Sequence, residues 1–264
     1  MNLFIFELKS NLKYTIIWAL AVSITAVGFL LMFPSFSNDI DTAKSVIEKL
    51  PLGIRRAMNV NLDTFFSLAG FYSYILNFIL LASSIMSLNL SLKLFSEESS
   101  IKTADFLLTK PISRPKIFLA KFMSGISLLV IYNLIYWLMV LFTTSILNNN
   151  ENNILVFVLI NFSLLLVQLL FFALGSLIGS AKSRLKTTIS TAMPVVFAFF
   201  VFAALDSAIS SIKLSEFSPF SFFNRNFIIE NLSLETKYLV ISTVLFTVLT
   251  FLGLTLFNKK DMKF

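Results

Sequence analysis

The sequence predicts an all-α, polytopic membrane protein of six transmembrane helices, with the N- and C-termini cytoplasmic. Three observations carry that expectation. Of 264 residues, 57% are hydrophobic and 13% charged, and the mean hydropathy is +0.86. A soluble domain of this size needs far more polar surface to cover its core. Six apolar runs, at about residues 14–33, 70–92, 122–147, 154–179, 187–205 and 238–257, can each supply the ~20 residues a helix needs to cross a ~30 Å hydrocarbon core. None of the six contains Asp, Glu, Lys or Arg. The fifth run is the least regular, because Pro194 lies inside it and the chain turns polar at Asp206. A kinked span is expected there, since neighbouring helices can satisfy the freed backbone groups. A re-entrant segment is the alternative.

Charge placement orients the spans. Lys9 and Lys13 precede the first. Lys93, Lys102, Lys110, Arg114, Lys116 and Lys121 lie between the second and third. Lys182, Arg184 and Lys186 separate the fourth and fifth, and Lys259, Lys260 and Lys263 close the chain. These are fourteen of the 21 Lys and Arg residues, against seven on the opposite face, among them Arg225. The basic face is the cytoplasmic one by the positive-inside rule. The net charge of +7 therefore reads as topology, and nucleic acid is not an expected partner. The first span lacks the apolar run ahead of Ala19-Leu20-Ala21 that a cleaved signal peptide needs, so it is expected to remain as an anchor. With no internal repeat, residues 1–264 read as one transmembrane domain.

Ahead of the first span, Phe4, Ile5, Leu8 and Leu12 share one helical face while Glu7, Lys9 and Asn11 lie elsewhere. This suits a short N-terminal interfacial helix, or simply a flank to the span. Between the first two spans, Val46, Ile47, Leu50, Ile54, Ala57 and Met58 recur at helical spacing, interrupted by Pro51 and Gly53. An amphipathic outer element is expected there, with a substrate gate as its sharper form. The polar turn at 148–153 should pair the third and fourth spans as antiparallel neighbours. Within the spans Asn77, Ser84, Asn133, Asn161 and Gln168 are neutral polar residues. They hydrogen-bond between helices or line a substrate path. Gly175 and Gly179 would allow close helix approach.

Absent residue types narrow the function. With no Cys and no His, a thiolate or histidine metal site, a cysteine nucleophile and the commonest general base are unavailable. No metal or cofactor is expected on this chain. An ion-coupled transporter usually keeps a titratable group inside the membrane, and none of the six runs has one. No Gly-Lys pair offers a phosphate-binding loop. Vectorial work would need energy from another chain, which directs attention to the 93–121 loop. There Ser96 or Ser99 can cap a short helix, Glu97 and Glu98 suit its positive end, and Pro111 stops it. Phe106, Leu107 and Leu108 give that helix apolar surface to bury, against a partner or against the bundle itself.

This loop resembles the permease subunits of ABC-2 type ATP-binding cassette exporters. Two acidic residues after the second span, a Thr-x-x-x-Leu-Leu-x-x-Pro-Ile-x-Arg run and a Lys entering the third span correspond to Glu97, Glu98, Thr103, Leu107, Leu108, Pro111, Ile112, Arg114 and Lys121. Weaker similarity covers the amphipathic start, Leu50-Pro51, Ser218-Pro219-Phe220 and Lys259-Lys260-Asp261. The resemblance implies a cytoplasmic coupling helix across 96–110 that seats in a separate ATPase subunit through Glu97, Glu98, Ile101, Lys102, Thr103, Asp105, Phe106, Leu107, Leu108, Pro111 and Arg114. It further implies two permease chains, identical or not, with two ATPases carrying ATP and Mg, in a bacterial plasma membrane. Permeases of this Phe-rich, Lys-rich style resemble exporters of amphipathic peptides or peptide antibiotics, including those for phenol-soluble modulins. A non-transporting membrane scaffold or immunity protein, and a lipid-modifying membrane enzyme, are the competing expectations.

Overall fold

Six apolar segments that must satisfy their backbones inside lipid can do so only as helices. The structure, a computed structural model, describes residues 3–38, 44–45, 49, 51, 53, 65–101, 113–147, 153–182, 187–208 and 218–259, and most of these are helical. Its elements are α1 (Leu3–Leu31), α2 (Phe33–Asn38), α3 (Leu68–Ile101), α4 (Arg114–Leu147), α5 (Ile154–Ala181), α6 (Ile189–Ala208), α7 (Arg225–Asn231) and α8 (Thr236–Lys259). No strand occurs among the described residues. Five helices are long and apolar enough to cross a membrane: α1 with its extension to Ser35, α3, α4, α5 and α8. The sixth, α6, has a shorter apolar stretch, Ile189–Leu205, and accommodates Pro194 without breaking.

Two helices exceed the expected spans. At ~1.5 Å per residue, the 34 residues of α3 and of α4 make each about 51 Å long. Both overrun a ~30 Å core, and they do so at the same end of the bundle. The start of α1, the end of α3, the start of α4 and the end of α8 meet there with Lys9, Lys13, Lys93, Arg114, Lys116, Lys121 and Lys259. We call it the basic end.

Packing follows side-chain size more than chain order. The broadest pairings are α1 along α4 and α3 along α5, with α8 on α5. α4 and α5 touch, yet neither is the other's main partner. The turn expected to pair them, at 148–152, lies outside the described residues. α3 and α5 run parallel and approach closely, because Gly175 and Gly179 face Ser91 and Phe95 without a Cβ between them.

Three sequence expectations need correction. The segment before the first span is no separate interfacial helix. It forms the first turns of α1, where Thr15 Oγ1 donates to the Asn11 carbonyl (3.0 Å) and no Gly or Pro interrupts the ladder. Its polar residues do not all face outward either, for Glu7 and Asn11 are buried and Ile5 is exposed, while Leu8 and Leu12 pack partly buried against the core. Where the surroundings are lipid, polar groups turn inward to find partners. Second, residues 96–101 extend α3 rather than starting a new helix. Ser96 Oγ donates back to the Leu92 carbonyl (2.6 Å) instead of capping. Third, residues 218–231 are not a simple loop between spans. Ser218 donates to the Phe199 carbonyl of α6 (2.8 Å), the Phe220 ring lies 5.2 Å from that of Phe171 in α5, and Arg225 reaches Asn77 of α3. This re-entrant stretch packs inside the bundle and ends at Leu232, a left-handed C-cap with φ 51°.

Candidate functional site

The polar residues of the spans converge on the interfaces of α3, α4 and α5. Tyr72 and Tyr136 hydroxyls meet at 2.9 Å, and the Tyr72 hydroxyl also donates to Asn161 Oδ1. One layer nearer the basic end, Ser83 and Tyr132 meet at 2.7 Å. Asn133 Nδ2 donates to Gln168 Oε1 (2.5 Å) and to its own helix at the Leu129 carbonyl (2.8 Å). Then come Ser87 to the Gln168 carbonyl (2.6 Å) and Ser91 to the Phe172 carbonyl (2.7 Å). A bond that recruits a helix carbonyl leaves the intrahelical ladder intact, because that oxygen has a second lone pair.

Of the five residues considered for a substrate path, the structure joins Asn133 to Gln168 and binds Asn161 to the tyrosine pair. Ser84 is fully buried with no bonding partner among the described residues. Asn77 stands apart from the others and accepts from Arg225. Asn133 Oδ1, Asn161 Nδ2 and Gln168 Nε2 have no hydrogen-bond partner among the described residues. Sequence reading missed the tyrosines; their i, i+4 spacing at 132 and 136 was the available signal.

Arg225 was assigned to an outer loop by charge counting, and the structure buries it. The Asn224 side chain caps α7 by accepting from the Asn226 amide (3.0 Å), which holds Arg225 at the first helical position.

At the basic end, Lys121 is 1% exposed. Its Nζ donates to Glu7 Oε1 (2.6 Å) and to the Leu94 carbonyl (2.8 Å), so one ammonium group ties α1, α3 and α4. Close by, Asn89 Nδ2 donates to the Tyr14 hydroxyl (2.7 Å), and the Lys93 ammonium lies 6.0 Å from the Tyr14 ring. Arg114 Nη1 donates to the Asn258 carbonyl (2.9 Å), fastening the start of α4 to the end of α8. Of the loop residues singled out by sequence, Glu97, Glu98 and Ile101 end α3 and Arg114 begins α4. Lys102, Thr103, Asp105, Phe106, Leu107, Leu108 and Pro111 lie outside the described residues, as does most of the patterned 46–58 stretch.

The geometry is that of a bundle of long, apolar, laced helices converging at one end. The family model for ABC-2 family transporter proteins matches residues 1–262. The chain belongs to the ABC-2 transporter family. No curated protein matches it. As an ABC-2 family member it is a multi-pass integral membrane protein, consistent with a bacterial plasma membrane, and the transmembrane subunit of an ABC exporter. Membership implies a separate ABC ATPase as partner and a dimeric arrangement, and ABC-2 permeases are generally not catalytic themselves.

Proposed function

We propose that this chain forms half of the translocation unit of an exporter, and that its 96–110 segment couples it to the ATPase. The basic end would face the cytoplasm with both termini. Two permease chains, each a single domain over 1–264, would stand on two ATPase subunits that carry the ATP and Mg. The observation that carries this reading is the overrun of α3 and α4. The two helices leave the apolar core together, and residues 102–112 join them at their tips. ATP-driven closure of the ATPases would act through that segment on the two long helices as on the ends of levers.

Amphipathic peptides are the substrate class we favour. Among the described residues the buried charges are Glu7 and Lys121 at the basic end and Arg225 in the re-entrant stretch. Apart from the hydroxyl and amide side chains already described, the spans are built of aromatic and aliphatic residues, which suits the apolar face of such a peptide.

Copurification with an ATPase from the native membrane tests the coupling. The double substitution Phe106→Asp and Leu107→Asp should abolish it while leaving the chain folded. Retained binding would sink the assignment of the coupling segment. Stimulation of ATP hydrolysis by amphipathic peptides in reconstituted vesicles tests the substrate class, and turnover indifferent to every peptide would favour the scaffold role.

A further inference from the structure

We propose that the Glu7–Lys121 ion pair is the joint through which movement of the 102–112 loop reaches α1; this rests on the reading of that loop as the ATPase contact. Residues 102–112 are continuous in sequence only with α3 and α4. α1 has no covalent link to them except through the long 32–67 stretch. Yet Lys121 sits two turns into α4 and binds both the α3 backbone at Leu94 and the α1 carboxylate of Glu7. Both helices that root the loop are thus fastened to the third helix at one atom.

The chemistry suits transmission. A charge-assisted bond of 2.6 Å is short and directional. Little water reaches it to compete, as Lys121 is 1% and Glu7 8% exposed. Buried ion pairs are weak evidence for stability, since well-packed apolar residues often replace them at no loss, whereas they do hold one geometry against alternatives. α1 is also built to carry a displacement. Its 29 residues form a rod about 44 Å long. Beyond its far end, Phe33 packs on Phe71 at the start of α3, with centroids 5.5 Å apart. Ile17, Leu20, Ile24 and Phe29 on its other side are exposed, and among the described residues α1 is held chiefly along α4 and less along α3.

The absence of cysteine makes a direct test practicable. Spin labels at Ile24→Cys on α1 and Phe251→Cys on α8, both exposed, report the separation of the two helices. Labelled chain is diluted with unlabelled chain, and the complex with its copurifying ATPase is measured in nanodiscs with and without ATP. The parent should show an ATP-dependent shift in distance. E7Q/K121M removes both charges at once, so it leaves no lone buried ion to unfold the chain. It should bind the ATPase and hydrolyse ATP at the basal rate but lose the shift, while K121R should keep it. A shift that persists in E7Q/K121M overturns the joint, as does one lost equally in K121R, or a parent complex that binds ATPase and shows no shift. Failure of the parent chain to bind any ATPase overturns the functional reading and the joint with it.

Discussion

A Cβ added to Gly175 would stand 2.7 Å from Ser91 Cβ and 2.9 Å from the Leu88 carbonyl oxygen. The backbones of α5 and α3 are therefore in near contact at this level. Gly175→Ala should destabilise the protein by about 1–3 kcal/mol, the usual cost of overpacking, seen as a lower midpoint of thermal unfolding in detergent. Gly28→Ala is the control. Nothing lies within 4 Å of a Cβ there, so the change should be neutral or stabilise the helix by up to about 1 kcal/mol.

Asn133 and Gln168 form a side-chain bond between α4 and α5. A double-mutant cycle with Asn133→Leu and Gln168→Leu should give a coupling of about 0.6–1.7 kcal/mol, the range found for polar pairs in helical membrane proteins. Additive single effects would show that the pair contributes packing alone.

The Asn77 amide oxygen accepts from the buried guanidinium of Arg225. Asn77→Leu should cost about 1.5–3 kcal/mol, the scale of a bond to a charged group. Adding Arg225→Met should recover part of that loss, because the unpaired cation leaves with it. If the double variant is less stable than Asn77→Leu alone, Arg225 has support other than Asn77.

Lys121→Met alone strands the Glu7 carboxylate and should cost about 3–5 kcal/mol, whereas E7Q/K121M should cost much less. The comparison is read from unfolding midpoints of the chain without its ATPase, so it separates the stability of the pair from its part in transport.

The spans were legible because lipid imposes one strict demand, a charge-free run of sufficient length, and α1, α3, α4, α5 and α8 all meet it. Partners were less legible. Loop length placed α4 beside α5, and the two do meet at Asn133 and Gln168, but small residues decide how near two helices come, and Gly175 and Gly179 make α3 the broader neighbour of α5. Glu7 was misjudged because a polar residue on an amphipathic wheel was assumed to face water. With lipid outside, the wheel turns round, and Glu7, Asn11, Thr15 and Ser23 form the inner face. Arg225 was misjudged for a related reason, since its charge was tallied with a loop while the chain folds back to Asn77. The coupling role proposed for Lys102 to Pro111 rests on resemblance alone.

The parallel register of α3 and α5 bears on how this exporter can move. Ser87 with Gln168 and Ser91 with Phe172 share one constant offset, and the glycines repeat a second one, Gly175 on Ser91 and Gly179 on Phe95. A ratchet by one helical turn, about 5.4 Å, would break both serine bonds. It would also carry bulkier residues of α5 into the gap that Gly175 and Gly179 keep open. Sliding along this seam would therefore cost both bonds and the close approach, so α3 and α5 are expected to keep their register whatever else the bundle does.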